Sequence, residues 1–494
     1  MYAWSGIPYA KPPLGELRFE PPQSLENWTG IWNATYGRNS CIGISLLDLL
    51  AELITPMGDE DCLYINVYAP QPPQKSSRFL PVMVWIYGGE FLEGNSSYAL
   101  YNPRHLVQEG SIVVSFNYRL GIFGFISTYD NVAPGNIGIK DQIMALKWVR
   151  NNIRAFGGDP DQVTIFGESA GLFNKAIMES GSALCLWSLS KTVKEATFTV
   201  GAKLGILRLS SRHLVNALKK VPAKILERAT YIVMGVIFAR DGPLNGLVFG
   251  PVIEAPSDTA VITSSSYEKF YQGDFNRVTL LIGYNSAEAY IFKGLFQLIW
   301  FYATRYDLLP GELVPKSMKA NLLDLPIIGL KIKEFYTGLN GVLALNEQGM
   351  LNYVSDDQFV RPIQKTVRLV SKYVTTYLYK FSYSRAGPSA GANHTDELLY
   401  VFDSNFNTTT DIFVRNCTVK LWTNFAKYGD PTSSNGSKVC GGVTLKPITP
   451  KDRDTLYYID INRNVTVGEN PDAYNMAFWK DLFDKYANPP FMTY

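Results

Sequence analysis

Apolar runs separated by turn residues mark the readable parts of this chain. Phe79–Tyr87 is one such run and is closed by Gly88 and Gly89; Ser111–Tyr118 and Val163–Phe166 follow. Thr279–Gly283, Thr375–Tyr383 and Leu456–Ile461 complete the set. Short apolar runs bounded by turn signals predict buried strands. Between Ile139 and Phe156 the period changes. Ile139, Ile143, Leu146, Val149 and Ile153 recur at steps of three and four, which predicts a helix, and Gly157-Gly158-Asp159-Pro160 ends it. A last helix is predicted over Asn475–Tyr486, with Met476, Phe478, Trp479, Leu482 and Phe483 available for burial. The first forty residues are rich in Pro and Trp and read as extended loop, and residues 190–270 are the least readable part, with an exposed amphipathic helix over Ser210–Lys220. Apolar strands alternating with helices predict an α/β protein with a large, mostly parallel sheet covered by helices on both faces.

Composition narrows the partners. A chain of 494 residues with 46% hydrophobic content can bury a large core. A net charge of +2 gives no electrostatic case for nucleic acid or an acidic membrane. No uncharged apolar run approaches bilayer length, so no transmembrane segment is expected. The five cysteines allow two local pairs, Cys41–Cys62 and Cys417–Cys440, with Cys185 left over; five reduced, buried thiols is the other reading. Eight glycosylation sequons begin at Asn27, Asn33, Asn95, Asn393, Asn407, Asn416, Asn435 and Asn464, most of them in polar, turn-like segments. Cysteines and sequons together favour the secretory route. The N-terminus, from Met1 to Tyr9, has neither the basic start nor the apolar core of a signal peptide. That leaves cytosolic residence or an N-terminus missing from this chain.

Gly167-Glu168-Ser169-Ala170-Gly171 follows the run Val163–Phe166. A Gly-X-Ser-X-Gly after a strand places a serine on a sharp turn, where flanking side chains would clash. Such a serine needs a base for its proton, a carboxylate to orient the base, and donors for an oxyanion. The chain has three histidines. His105 lies just before a strand and reads as structural, and His213 sits in an exposed amphipathic helix. His394 lies in the Gly/Ser/Ala-rich loop after the run Thr375–Tyr383, at a strand's C-terminal end, where sites of open α/β sheets gather. Glu288 occupies the equivalent place after Thr279–Gly283. Ser169, Glu288 and His394 thus form a candidate triad in the order serine, acid, histidine.

The chain resembles the type-B carboxylesterases, the α/β-hydrolase family that includes cholinesterases and neuroligin-like adhesion domains. Phe156 through Gly171 matches the family's serine signature in full, and Glu60 through Pro70 its second signature. Gly6-Ile7-Pro8-Tyr9-Ala10, Leu17-Arg18-Phe19, Asn117 through Gly121 and His394 through Leu398 are further landmarks. The resemblance runs from about residue 5 to about 485 and is weakest in the middle. It implies a disulfide Cys41–Cys62, structural ion pairs Arg18–Glu60 and Arg119–Asp141, and an oxyanion hole from Gly88, Gly89, Glu90 and Ala170. It implies no metal and no cofactor. It also implies a single carboxylesterase domain over 1–494 that lacks the family's N-terminal strands and signal sequence, which explains the missing signal by truncation and places the protein outside the cell.

Three departures stand out. Glu90 replaces a third glycine; its N–H can still serve the oxyanion, while its carboxylate opposes developing negative charge and its Cβ resists a conformation glycine accepts. Only Gly167–Lys175 separate Phe166 from Ala176, where the family has a full helix, so the domain is read as shortened after Gly171. Residues 42–61 contain no tryptophan; the position that stacks on choline in cholinesterases is closest to Glu52. The implied function is a secreted serine hydrolase of small carboxylic esters, with activity lowered by Glu90 and the short crossover. The alternatives are a catalytically impaired or adhesion-type binding domain and an acetylcholinesterase-like enzyme. The last helix is a candidate for a homodimer interface.

Overall fold

A computed structural model describes residues 1–44, 56–73, 79–168, 176–207, 210–242, 246–293, 296–433, 439–452 and 455–494. The chain forms two compact units, residues 1–170 with 187–264 and residues 171–186 with 265–494.

The first unit holds strands β1 (Tyr2–Pro8), β2 (Tyr64–Ala69), β3 (Leu80–Ile86), β4 (Ile112–Phe116) and β5 (Gly158–Glu168). Their order is β1-β2-β4-β3-β5. β1 and β4 pair antiparallel with β2, while β3 pairs parallel with β4 and β5. The three apolar runs of this half are therefore strands, as their patterning predicts. Their residues are buried: Val82, Val84, Trp85 and Phe166 are fully so. Register shifts between Leu80 and Val82, where Pro81 has no N–H to give the ladder. β1 corrects the loop reading of the N-terminal residues. Its Trp4 packs edge-on against Phe156 at 5.1 Å, a long-range contact that local patterning does not display. The predicted helix is Ile137–Asn152, continued as a 3-10 turn to Phe156 and stopped where Gly157 adopts φ +87°. The least readable segment holds helices Val193–Lys203, Ser211–Leu218 and Ala223–Asp241, the second of them the helix expected over Ser210–Lys220.

The second unit holds β6 (Ala176–Glu179), β7 (Leu280–Asn285), β8 (Thr376–Phe381), β9 (Tyr457–Ile461) and β10 (Thr466–Glu469). β6 through β9 pair in parallel sequence and β10 closes antiparallel on β9. Helices Thr409–Tyr428 and Ala473–Tyr486 carry the fully buried Trp422 and the nearly buried Trp479. Burial of each such ring stabilises the fold by roughly 2–3 kcal/mol.

Cys41–Cys62 and Cys417–Cys440 are disulfide-bonded, and Cys185 is a buried thiol outside both. Both implied ion pairs form. Arg18 Nε donates to Glu60 Oε1 at 2.6 Å, and Arg119 donates to Asp141 through Nε at 2.8 Å and Nη2 at 2.7 Å. Among the described residues no helix is long and apolar enough to cross a membrane.

Candidate active site

β3 delivers the candidate oxyanion loop in the first unit. At its end Tyr87 stacks on Tyr118 at 4.6 Å, and the Tyr118 hydroxyl donates to the Tyr87 carbonyl at 2.8 Å. Gly88 and Gly89 follow. The Gly89 carbonyl accepts from the N–H groups of Leu92 and Glu93 at 2.9 and 3.0 Å, which curls the chain into a tight turn. Gly89 sits at φ +104°, and a Cβ there would meet the Glu93 carbonyl oxygen at 2.4 Å, so the turn demands glycine. Glu90 and Phe91 are both left-handed, at φ +56° and +59°. Each such non-glycine residue costs on the order of 1 kcal/mol. The Phe91 carbonyl then accepts from Gly121 N–H at 2.7 Å, which ties the turn to the start of helix Gly121–Phe125. β5 is described through Glu168, its last residue, with Phe166 packed against Trp85 at 4.9 Å. Ser169 and Ala170, the short crossover and Glu52 lie outside the described residues, as does Asn435.

The other two candidates meet in the second unit. Glu288 opens a 3-10 turn just after β7, and His394 lies in the loop that follows β8. His394 Nδ1 and Glu288 Oε2 are 2.7 Å apart. Glu288 is fully buried, and its second oxygen, Oε1, accepts from Asn285 N–H at 2.7 Å. A carboxylate in this position takes the Nδ1 proton of the imidazole as its hydrogen bond, which leaves Nε2 as the lone-pair nitrogen able to receive a proton.

The two loops are bound together by their backbones. His394 N–H donates to the Glu288 carbonyl at 3.2 Å and Ala287 N–H to the Ala392 carbonyl at 2.9 Å. Ala392 N–H donates to Ser286 Oγ at 3.0 Å. Asn285 Nδ2 spans the gap, donating to the Asn393 carbonyl at 2.6 Å and to the Glu397 carboxylate. Gly391, at φ +70°, passes so close to Ala287 that a Cβ would come within 2.6 Å of its methyl group. Burial pushes the Asp396 carboxyl up, the Asn393 N–H pulls it partly back, and the Glu288 charge adds to the rise.

Asn285, Ser355 and Phe359 were not legible as site residues. Ser355 Oγ accepts from Ala289 N–H at 2.9 Å, and the Phe359 ring lies 4.8 Å from the His394 imidazole. Asn285 carries the one signal that could have been used, a polar residue at the buried end of an apolar run, three positions before the acid. His105 and His213 lie in the first unit, His105 paired with Gln108 at 3.2 Å and His213 exposed. Of the sequons, Asn27, Asn33, Asn407, Asn416 and Asn464 are exposed and Asn95 and Asn393 half-buried; Asn416 lies on a helix rather than a turn.

A buried carboxylate on a histidine beyond the end of a parallel strand is what an α/β-hydrolase uses to hold a base, and a glycine turn after a strand is what it uses to hold an oxyanion. Solved structures share this fold. A structure described as PNB esterase superposes with a TM-score of 0.75 at 30% identity over 96% of this chain and 95% of that one. Juvenile hormone esterase from Manduca sexta, with OTFP covalently attached, superposes with a TM-score of 0.82 at 26% identity over 98% and 95%. A carboxylic ester hydrolase of Bombus ignitus is 32% identical over 97% of this chain and 90% of its own length. The profile of the carboxylesterase family matches residues 1–479. The chain belongs to the carboxylesterase family, whose similar members are carboxylic ester hydrolases.

Proposed function

We propose that this protein hydrolyses small carboxylic esters through an acyl-enzyme on Ser169. His394 Nε2 takes the Ser169 proton as Oγ attacks the ester carbonyl carbon, and Glu288 holds the imidazole and offsets the imidazolium charge. The N–H groups of Gly88, Gly89, Glu90 and Ala170 stabilise the oxyanion. The protonated His394 passes its proton to the leaving alkoxide, and an alcohol departs. Water, deprotonated by the same nitrogen, then attacks the acyl carbon; His394 returns that proton to Ser169 Oγ as the acyl–oxygen bond breaks, and the acid is released with the serine restored. The observation that carries this reading is the 2.7 Å contact between His394 Nδ1 and the buried Glu288. The covalent adduct in the Manduca sexta relative supports it.

Glu90 is read as lowering activity rather than abolishing it, because it keeps an N–H while adding charge and strain. Two disulfides, exposed sequons and a relative named venom carboxylesterase support a secreted protein. Helix Ala473–Tyr486, with Tyr474 79% exposed, supports a homodimer interface.

The test is labelling by an active-site-directed fluorophosphonate, read as the modified Ser169 peptide by mass spectrometry, beside turnover of a p-nitrophenyl ester. Labelling and turnover that are both lost in S169A are expected. No labelling of the folded protein, or label on another residue, overturns the proposal.

A further inference from the structure

Helix Glu347–Ser355 does not run smoothly into helix Arg361–Val370; a π-helical turn, Asp356–Val360, joins them. Such a turn carries an extra residue and re-aims the side chains around it, and it recurs at functional sites. Here it turns Phe359 toward His394. The two rings lie 4.8 Å apart at 51°, and Phe359 is 8% exposed.

The platform under Phe359 is anchored on several sides. Before it, Ser355 Oγ accepts from Ala289 N–H at 2.9 Å, so the loop bearing Glu288 and the π-turn share a bond. Asp356 Oδ2 accepts from the Tyr336 hydroxyl and from Asn475 Nδ2, both at 2.7 Å. Asp357 pairs with Arg361 at 2.6 Å, and the Arg361 guanidinium lies over the rings of Trp479 and Phe483 at 5.0 and 4.8 Å. The backbone on either side of Phe359 is thus tied to several fixed partners.

We propose that Phe359 is a positioning residue for His394, holding the imidazole in its Glu288-bound orientation and stabilising the imidazolium with its π-system. The proposal rests on the assignment of His394 as the base. Glu288 holds the Nδ1 edge of the imidazole by a hydrogen bond, and Phe359 packs against the ring itself. When His394 takes the serine proton it becomes a cation beside an aromatic ring, and the ring quadrupole attracts a cation. The contact is therefore stronger in the charged state than in the resting one, which is what an interaction must do to speed the chemical step.

The test compares F359L, which keeps most of the volume without a ring, F359Y, which keeps the ring, and H394A, each read by ester hydrolysis across pH and by thermal unfolding. F359L is expected to lower kcat about five- to twentyfold with KM within about twofold. It is also expected to move the acid limb of kcat/KM down by about half a pH unit. F359Y is expected to retain both parental values. F359M gives the same comparison should F359L fail to fold. Parental kcat and pH profile in folded F359L overturn the inference, as does equal impairment in F359L and F359Y, which would reduce Phe359 to packing. Full activity in H394A overturns it too, and does so by removing the base assignment beneath it.

Discussion

Glu288 and His394 stand 106 positions apart in the chain, yet a carboxylate oxygen of one lies 2.7 Å from an imidazole nitrogen of the other. The same two residues also share a backbone bond, from His394 N–H to the Glu288 carbonyl at 3.2 Å. The side chain and the main chain of His394 are thus both tied to the same residue.

That double hold makes the amide variant of the acid informative. E288Q retains the size of the side chain and can still meet Nδ1, but its amide stabilises the wrong tautomer and carries no charge to offset the imidazolium. We expect kcat to fall by about 10³- to 10⁴-fold with KM little changed. Activity within about tenfold of the parent would remove Glu288 from the triad.

Glu90 sits at φ +56° in the candidate oxyanion loop. E90G removes both the backbone strain and the negative charge, so kcat/KM is expected to rise on the order of tenfold, about 1.4 kcal/mol, the scale of a unit charge roughly 6 Å from an oxyanion at a partly solvent-screened dielectric of about 40. The stability gain should stay within about 1 kcal/mol, because glycine also frees the unfolded chain. Steady-state kinetics of E90G and E90Q separate the causes: charge alone predicts that both rise, and strain alone that only E90G does. A loss of activity in both would show that the carboxylate assists the reaction.

Cys41–Cys62 closes a loop with a sequence separation of 21. In the chain-entropy account a loop of that length is worth about 3 kcal/mol. C41S/C62S is expected to unfold at lower urea concentration by that free energy, with the slope of the transition raised by a more expanded unfolded chain. An unchanged midpoint would show that the disulfide holds nothing that the surrounding core does not.

Glu227, on helix Ala223–Asp241, is 2% exposed, and its Oε2 is buried without a hydrogen-bond partner among the described residues. Burial pushes its carboxyl up from 4.5 to about 8. The folded chain therefore keeps a proton that the unfolded chain releases above about pH 4.5. By linkage, this group's contribution to stability is full below that pH, is lost as pH rises to about 8, and is level beyond. E227Q resembles the protonated acid and should hold its stability across that window, so its advantage over the parent grows with pH, to the order of a few kcal/mol. Urea unfolding of both proteins from pH 5 to 9 checks this; a constant difference would overturn it. Gly121 explains the burial, since a Cβ there would press on Glu227 Oε1 at 3.0 Å, and glycine at that position lets the carboxyl group close against the backbone.

The strand runs at Phe79–Tyr87, Ser111–Tyr118, Val163–Phe166, Thr279–Gly283, Thr375–Tyr383 and Leu456–Ile461, and the helices near 139–156 and 475–486, were all legible in the amino-acid order. Their burial is decided by local apolar density, which a one-dimensional pattern records. The pairing of Glu288 with His394 was legible for a related reason: both follow a strand run, and parallel strands bring those ends to one edge of the sheet. Other features were not. β1 is a strand because of its partner β2, although its own residues are rich in turn formers. Helices Val193–Lys203 and Ala223–Asp241 take their burial from neighbours that local periodicity does not name. Asn285, Ser355 and Phe359 reach the histidine and its acid from different segments, and no spacing links them. Sequence alone determined the apolar strands, the two patterned helices and which residue types could do ester chemistry, because these follow from local patterning and side-chain chemistry. Only tertiary structure decided how His394 is held and that Glu90 is forced into a left-handed turn, because both depend on contacts between segments distant in the chain or on the closure of a turn around its neighbours.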